Sequence, residues 1–156
     1  MTQGGDTMSV GEFCNREVVI TGRDSSIVEA ARLMRQYHVG DLVVVETEAG
    51  QTKPVGILTD RDIVVELIAA GVPLDTVTVG DVMSGDLLTA REEDSIWDTL
   101  QRMRTRGVRR LVVVGASGAL EGILTVDDLL ELFSEELFAL ANVPRREQEQ
   151  EKKLRG

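Results

Sequence analysis

The chain's 156 residues, 42% of them hydrophobic, suffice for a packed core, while a formal net charge of −10 argues against non-specific nucleic-acid binding, which needs a basic face. A single cysteine, Cys14, and a single histidine, His38, exclude an internal disulfide and disfavour a zinc cluster or a catalytic histidine pair. With no apolar run near the roughly 18 residues of a membrane span and no signal-peptide pattern in MTQGGDTM, a cytoplasmic protein that binds no metal, membrane or nucleic acid is expected.

Residues 1–8 read as a flexible N-terminus, and their GGD is not a phosphate loop. A short extended piece follows at Val18–Thr21. Ser26 with Glu29 forms a capping-box pattern, and Ile27, Ala30, Ala31 and Met34 then share one helical face. His38 stands at the helix end, where a cation favours the dipole. Leu42–Val45 is a strand too continuously apolar to face water on either side. A glycine-containing turn leads to a second strand, Val55–Leu58, and a helix opens at Thr59. After a linker at 72–77 the order recurs: an extended piece at Leu87–Thr89, a helix with Ser95 and Asp98 as its box, strands Leu111–Val114 and Leu120–Leu124, and a helix from Thr125. In that helix pair Ile96, Leu100 and Met103 share a face, and Cys14 and Met83 hold matching places as small or soft apolar residues. From Ser134 a helix with Leu137, Phe138 and Leu140 as packing residues is expected to stop near Pro144, leaving RREQEQEKKLRG to fray or to pack on a partner.

The recurrence is a true internal repeat. Residues 9–45 laid on 78–114 match at eleven of 37 positions, including Gly11/Gly80, Ser26/Ser95, Met34/Met103 and the run Leu42–Val45 on Leu111–Val114. Average residue usage would give about two or three matches. Beyond this block GILTDRD (56–62) falls on GILTVDD (122–128), the offset changing in the turn ETEAGQTKP. The fold class is therefore α/β (α+β): two β-α-β-β-α units, at 9–71 and 78–133, each near the lower size limit for a core of its own and packed together with pseudo-twofold symmetry. Residues 134–156 form a C-terminal helix and charged tail.

The matched segments SVGEF/TVGDVM, SSIVEAARLM/DSIWDTLQRM, HVGDLVVVE/GVRRLVVVG and VGILTDRD/EGILTVDD resemble the cystathionine-β-synthase (CBS) domain, and the tandem resembles the Bateman module of small stand-alone bacterial proteins. The resemblance implies a regulatory binding module, not an enzyme, with no required cofactor. The implied ligand is an adenosine nucleotide (AMP, ADP, ATP or S-adenosylmethionine) held between the repeats. The implied partners are a second copy of the chain, in a homodimer built through IVVELIAAG and LLELFSEELFALA, and a regulated protein of unspecified identity. The family's Thr-x-x-Asp signature falls on Thr59 and Asp62, and on Thr125 and Asp128. Its basic residues before the strand fall on Arg109 and Arg110, where the first repeat has Gly40 and Asp41; Arg61 has Asp127 as its counterpart. Base contacts are implied at Val19, Ile20 and Thr21, and at Leu88, Thr89 and Ala90.

The chemistry suits those roles. A carboxylate accepts from both ribose hydroxyls, and a helix N-terminus with a threonine hydroxyl favours a phosphate. The same pairs also make good helix caps, and both roles can hold at once. Arg109 and Arg110 could instead pair with acids on this acidic surface. An interaction module that binds no nucleotide therefore stands as the alternative. Enzyme chemistry lacks a nucleophile–histidine–acid set or a phosphate-loop glycine pattern. Trp97 reads as covering a partner surface, and Met34 and Met103 as core.

Overall fold

The computed structural model describes residues 8–155, so most of the expected flexible N-terminus lies outside the described residues. The chain divides into two units, one running to Leu124 and one beginning at Thr125. In chain order the first repeat supplies α1 (Val10–Phe13), β1 (Ile20–Gly22), α2 (Ile27–Tyr37), β2 (Asp41–Glu48), β3 (Gln51–Thr59) and α3 (Asp60–Asp62), which widens into a π turn at Ile63–Ile68. A 3-10 turn at Leu74–Thr76 leads to α4 (Val79–Val82), β4 (Thr89–Ala90), α5 (Ile96–Arg106), β5 (Arg110–Val114), β6 (Leu120–Thr125) and α6 (Val126–Arg155). The result is a mixed α+β fold with two three-stranded sheets, β1-β2-β3 and β4-β5-β6. In each, the first strand runs parallel to the second: Thr21 lies beside Val44, and Ala90 beside Val113.

Strand β2 reads as buried on both faces because it is. Leu42 and Val44 join Ile27, Ala30 and Met34 of α2 and Leu58 of β3 in one core cluster. Val43, pointing to the opposite face as strand alternation requires, packs with Ile57, Val112 and Ile123, so the two repeats share this second cluster. Each such fully buried side chain contributes roughly 1.5–3 kcal/mol. The β2–β3 hairpin turns on Ala49 (φ 51°) and Gly50 (φ 76°), two positive-φ residues whose twist matches that of the strands.

The pseudo-twofold relation is written in paired backbone contacts. Ser9 bridges Ser95 as Thr78 bridges Ser26, and Asn15 bridges Ile123 as Ser84 bridges Ile57. The Val10 N–H donates to Asp94 O at 2.9 Å, and Val79 N–H donates to Ser25 O at 3.0 Å. The entry segment of each repeat thus lies on the other repeat: Val79 is buried among the apolar residues of the first. Gly56 marks how close this crossing is, since a Cβ there would stand 2.9 Å from Ser84 O.

Four expectations are corrected. The extended pieces shift: β1 is Ile20–Gly22 and β4 is Thr89–Ala90. The Ser26–Glu29 box forms, with Glu29 N–H donating to Ser26 Oγ at 3.1 Å, but Ser95 makes no side-chain cap. There the helix start is tied by backbone, Ile96 N–H donating to Met8 O at 3.0 Å. Helix α6 does not stop at Pro144 but continues to Arg155. The proline removes one N–H, and the residues that follow it, from Arg145 to Glu149, are strong helix formers. Beyond the proline, Glu149 and Lys153, and Glu151 and Arg155, stand at the favourable i, i+4 spacing. Along α6, Leu137, Phe138 and Leu140, expected to pack, are exposed.

Candidate functional site

The end of β3 and the start of α3 form one junction. Thr59 is the N-cap in extended conformation, and its backbone N–H donates to Asp62 Oδ2 at 2.9 Å. Asp62 N–H donates back to Thr59 Oγ1 at 3.1 Å. This reciprocal box satisfies two helix-start donors and fixes both side chains. It leaves the Thr59 hydroxyl proton and the second Asp62 oxygen available for further bonds.

Beside this junction lies a cleft of about 220 Å³ that draws on both repeats. The first repeat lines it with Ile57, Thr59 and Asp62. The second lines it with Ser84, Asp86 and Leu88, and with Arg109 and Arg110 at the start of β5. The Ile57–Ser84 pair, exchanging backbone bonds of 2.9 and 3.0 Å, ties the two walls together. Five residues singled out from the sequence therefore converge: Thr59 and Asp62 from one repeat, and Leu88, Arg109 and Arg110 from the other.

An acid already pairs with one of the cleft's cations. Arg110 Nε lies 3.0 Å from Asp41 Oδ2, both side chains half-buried. Those two residues occupy equivalent positions in the two repeats, so the pair spans the pseudo-twofold relation. At the rim, Arg106 Nη2 lies 2.7 Å from Asp86 Oδ2. The Arg110–Asp41 approach is an ion pair without a hydrogen bond at Nε, and the guanidinium's two Nη atoms carry further donors, which suits it to meet an oxyanion side-on.

The remaining site candidates are placed as follows. Arg61 is exposed on α3 and is not among the cleft's lining residues. Val19 and Ile20 line a second cleft of about 520 Å³, with Asn15, Glu17 and Tyr37. Thr21 and Ala90 are buried in their sheets. Thr89 offers its carbonyl to Arg102 Nη2. Thr125 and Asp128 open α6 with a box like that of the first repeat: Thr125 N–H donates to Asp128 Oδ2 at 2.8 Å, and Asp128 N–H to Thr125 Oγ1 at 3.1 Å. Sequence reasoning missed Ser84 and Asp86, although their repeat equivalents, Asn15 and Glu17, also line a cleft. Comparing those paired positions would have found them.

A duplicated β-α-β-β-α unit with a Thr-x-x-Asp helix start beside an inter-repeat cleft defines a class of paired repeats. The model of the CBS domain matches residues 10–69 and 79–135, and the chain belongs to this family. It is 33% identical over 126 residues to the uncharacterized protein MK0525 of Methanopyrus kandleri, spanning 81% of this chain and 63% of that relative's length. It is 37% identical over 121 residues to the CBS domain-containing protein YhcV of Bacillus subtilis, covering 78% of this chain and 82% of YhcV. Among solved structures, the CBS domain pair of protein MJ0100, in complex with 5′-methylthioadenosine and S-adenosyl-L-methionine, superposes with a TM-score of 0.73 at 23% identity. That match covers 83% of this chain and 98% of MJ0100's, and shows a common fold. No helix among the described residues is long and apolar enough to cross a membrane.

Proposed function

We propose that the chain is a regulatory module that binds an adenosine nucleotide in the cleft between Thr59–Asp62 and Arg109–Arg110 and acts through binding, not catalysis. The observation that carries this reading is the convergence of a carboxylate, a hydroxyl and two guanidiniums from different repeats on one cleft. Asp62 accepts from the ribose hydroxyls, Leu88 and Ile57 flank the base, and Arg109 and Arg110 meet the phosphate. The adenosine ligands of the MJ0100 pair support the ligand class. Because the residues that meet sugar and phosphate come from different repeats, occupancy changes the force between the repeats and so can be read by a partner protein. Self-association would use the exposed apolar residues Val64 and Ile68 beyond α3 and Leu137 and Phe138 of α6. Calorimetry with AMP, ATP and S-adenosylmethionine tests the reading: one equivalent of a phosphorylated ligand should bind, weakened by Arg110→Ala. Absence of binding by all three at millimolar concentration would refute it.

The second reading, an interaction module without a nucleotide, is favoured by one specific fact: Asp41 and Asp86 already occupy Arg110 and Arg106. It predicts that Asp41→Asn leaves ligand titrations flat.

A further inference from the structure

Helix α6 leaves one side uncovered. Leu129 and Leu132 are buried, whereas Leu130, Leu137 and Phe138 are 60, 65 and 72% exposed. At about 100° per residue these three stand on the side opposite the buried pair. Charge divides the same helix lengthwise. Residues 126–140 hold five acids and no base, and residues 141–155 hold five bases and three acids. On the uncovered side Glu131, Phe138, Arg145 and Lys152 recur every seventh residue, and all four are exposed. Seven residues fall only about 20° short of two full turns, so the four form one column beside Leu130 and Leu137.

From its N-terminal end that column reads acid, ring, base, base. Two such columns laid in the same direction would set Glu131 on Glu131 and Arg145 on Arg145, like charge on like. Laid in opposite directions about a midpoint between Ala141 and Asn142, they set Glu131 against Lys152 and Phe138 against Arg145, each pair twice by symmetry. The first is an ion pair, and the second a guanidinium over an aromatic face. Ala141 at the crossing is small, which lets the axes approach to about 8–10 Å.

We propose that α6 pairs antiparallel with α6 of a second copy of the chain, through doubled Glu131–Lys152 and Phe138–Arg145 contacts. Phe138, Arg145 and Lys152 lie beyond residue 135, where the match to the CBS domain ends, so the contact belongs to the segment that follows the matched repeats. It deepens the self-association proposed above by naming the face and its direction, and it does not depend on nucleotide binding.

Sedimentation equilibrium on the full chain should show a monomer–dimer equilibrium. Glu131→Lys and Lys152→Glu each set two like-charged pairs in the contact and should raise the dimer Kd about tenfold, whereas the double variant restores both pairs in reverse and should return to within about twofold of the parent. Phe138→Ala should also weaken the dimer about tenfold. Spin labels on Lys153→Cys, in a chain also carrying Cys14→Ser, read the direction: antiparallel helices hold the two labels about 35 Å apart along the axis, and parallel helices hold them within about 20 Å. The proposal is overturned by a chain that stays monomeric at millimolar concentration, by a dimer that neither charge reversal weakens, by a double variant no tighter than the singles, or by the short label separation. Flat AMP titrations with this dimer intact would sink the proposed function alone, and AMP binding by a monomer would sink this inference alone.

Discussion

The sharpest test separates the two roles that Thr59 and Asp62 can play, because the chain contains its own control. Asp62→Ala and Asp128→Ala each remove the carboxylate from a reciprocal box of nearly identical geometry: 2.9 and 3.1 Å in the first repeat, 2.8 and 3.1 Å in the second. Without ligand, both substitutions should cost about 1 kcal/mol, the usual loss for a helix cap. For a domain of this size that lowers the thermal midpoint by about 2–4 °C. With ligand the two should diverge. Only Asp62 shares a cleft with Arg109 and Arg110, so only its loss removes charge-assisted bonds to the ribose. Such bonds are worth about 1.5–3 kcal/mol, or a 10- to 150-fold rise in Kd for AMP. Differential scanning fluorimetry gives the first number and calorimetry the second. If Asp62→Ala binds AMP within twofold of the parent while losing the same stability, the pair is a cap alone and the ribose role is refuted.

Other consequences follow from local geometry. Gly56→Ala should destabilise the fold by about 1–3 kcal/mol in urea unfolding, because its Cβ would meet Ser84 O at 2.9 Å on a backbone already tied to Ile57. His38→Gly should raise stability by about 1 kcal/mol, since His38 sits at φ 54° in the left-handed cap where the second repeat has Gly107. Burial pushes the Cys14 thiol above its ordinary range, against a smaller opposing pull from Arg16, so iodoacetamide should alkylate it more slowly at pH 8 than a peptide thiol. The Asp81 carboxyl is held below its ordinary range by the Thr78 N–H and hydroxyl. Its contribution is therefore present above the unfolded-state value and lost as pH falls through the lower folded value. NMR titration of Asp81 and a flatter acid limb in Asp81→Asn would verify this.

How far the sequence could be read depended on whether a signal was local. The capping box at Ser26, the doubly buried run Leu42–Val45 and the helix starts at Thr59 and Thr125 all rest on residues within a turn or a strand, and each stands where its pattern indicated. Helices α1 and α4 carried the same local signal, Ser9 with Glu12 and Thr78 with Asp81, but their four-residue length left no periodic face to notice. Ser95 shows the limit from the other side: the local pattern is present but its side chain makes no cap, whereas Ser26 forms its box beside the matching bridge to Thr78. Pro144 shows it again: strong helix formers follow it, and the helix runs on to Arg155.

The cations were the least legible feature, and the reason is topological. Arg109 and Arg110 stand 15 or more residues before Thr125 and about 50 after Thr59, so sequence proximity links them to the box of their own repeat. The backbone crossings at Asn15–Ile123 and Ser84–Ile57 exchange that order and lay residues 84–88 and 108–110 of the second repeat along the helix start of the first. A cleft whose lining comes from different copies can diverge without touching the fold. Residues that hold the repeat together, such as Gly11/Gly80 and Leu42–Val45/Leu111–Val114, are the ones kept the same in both copies. Arg109 and Arg110 line the first cleft, and their repeat equivalents are Gly40 and Asp41, so the two copies differ in charge at these positions. The shared scaffold thus stays the same in both copies while the charge at these positions does not.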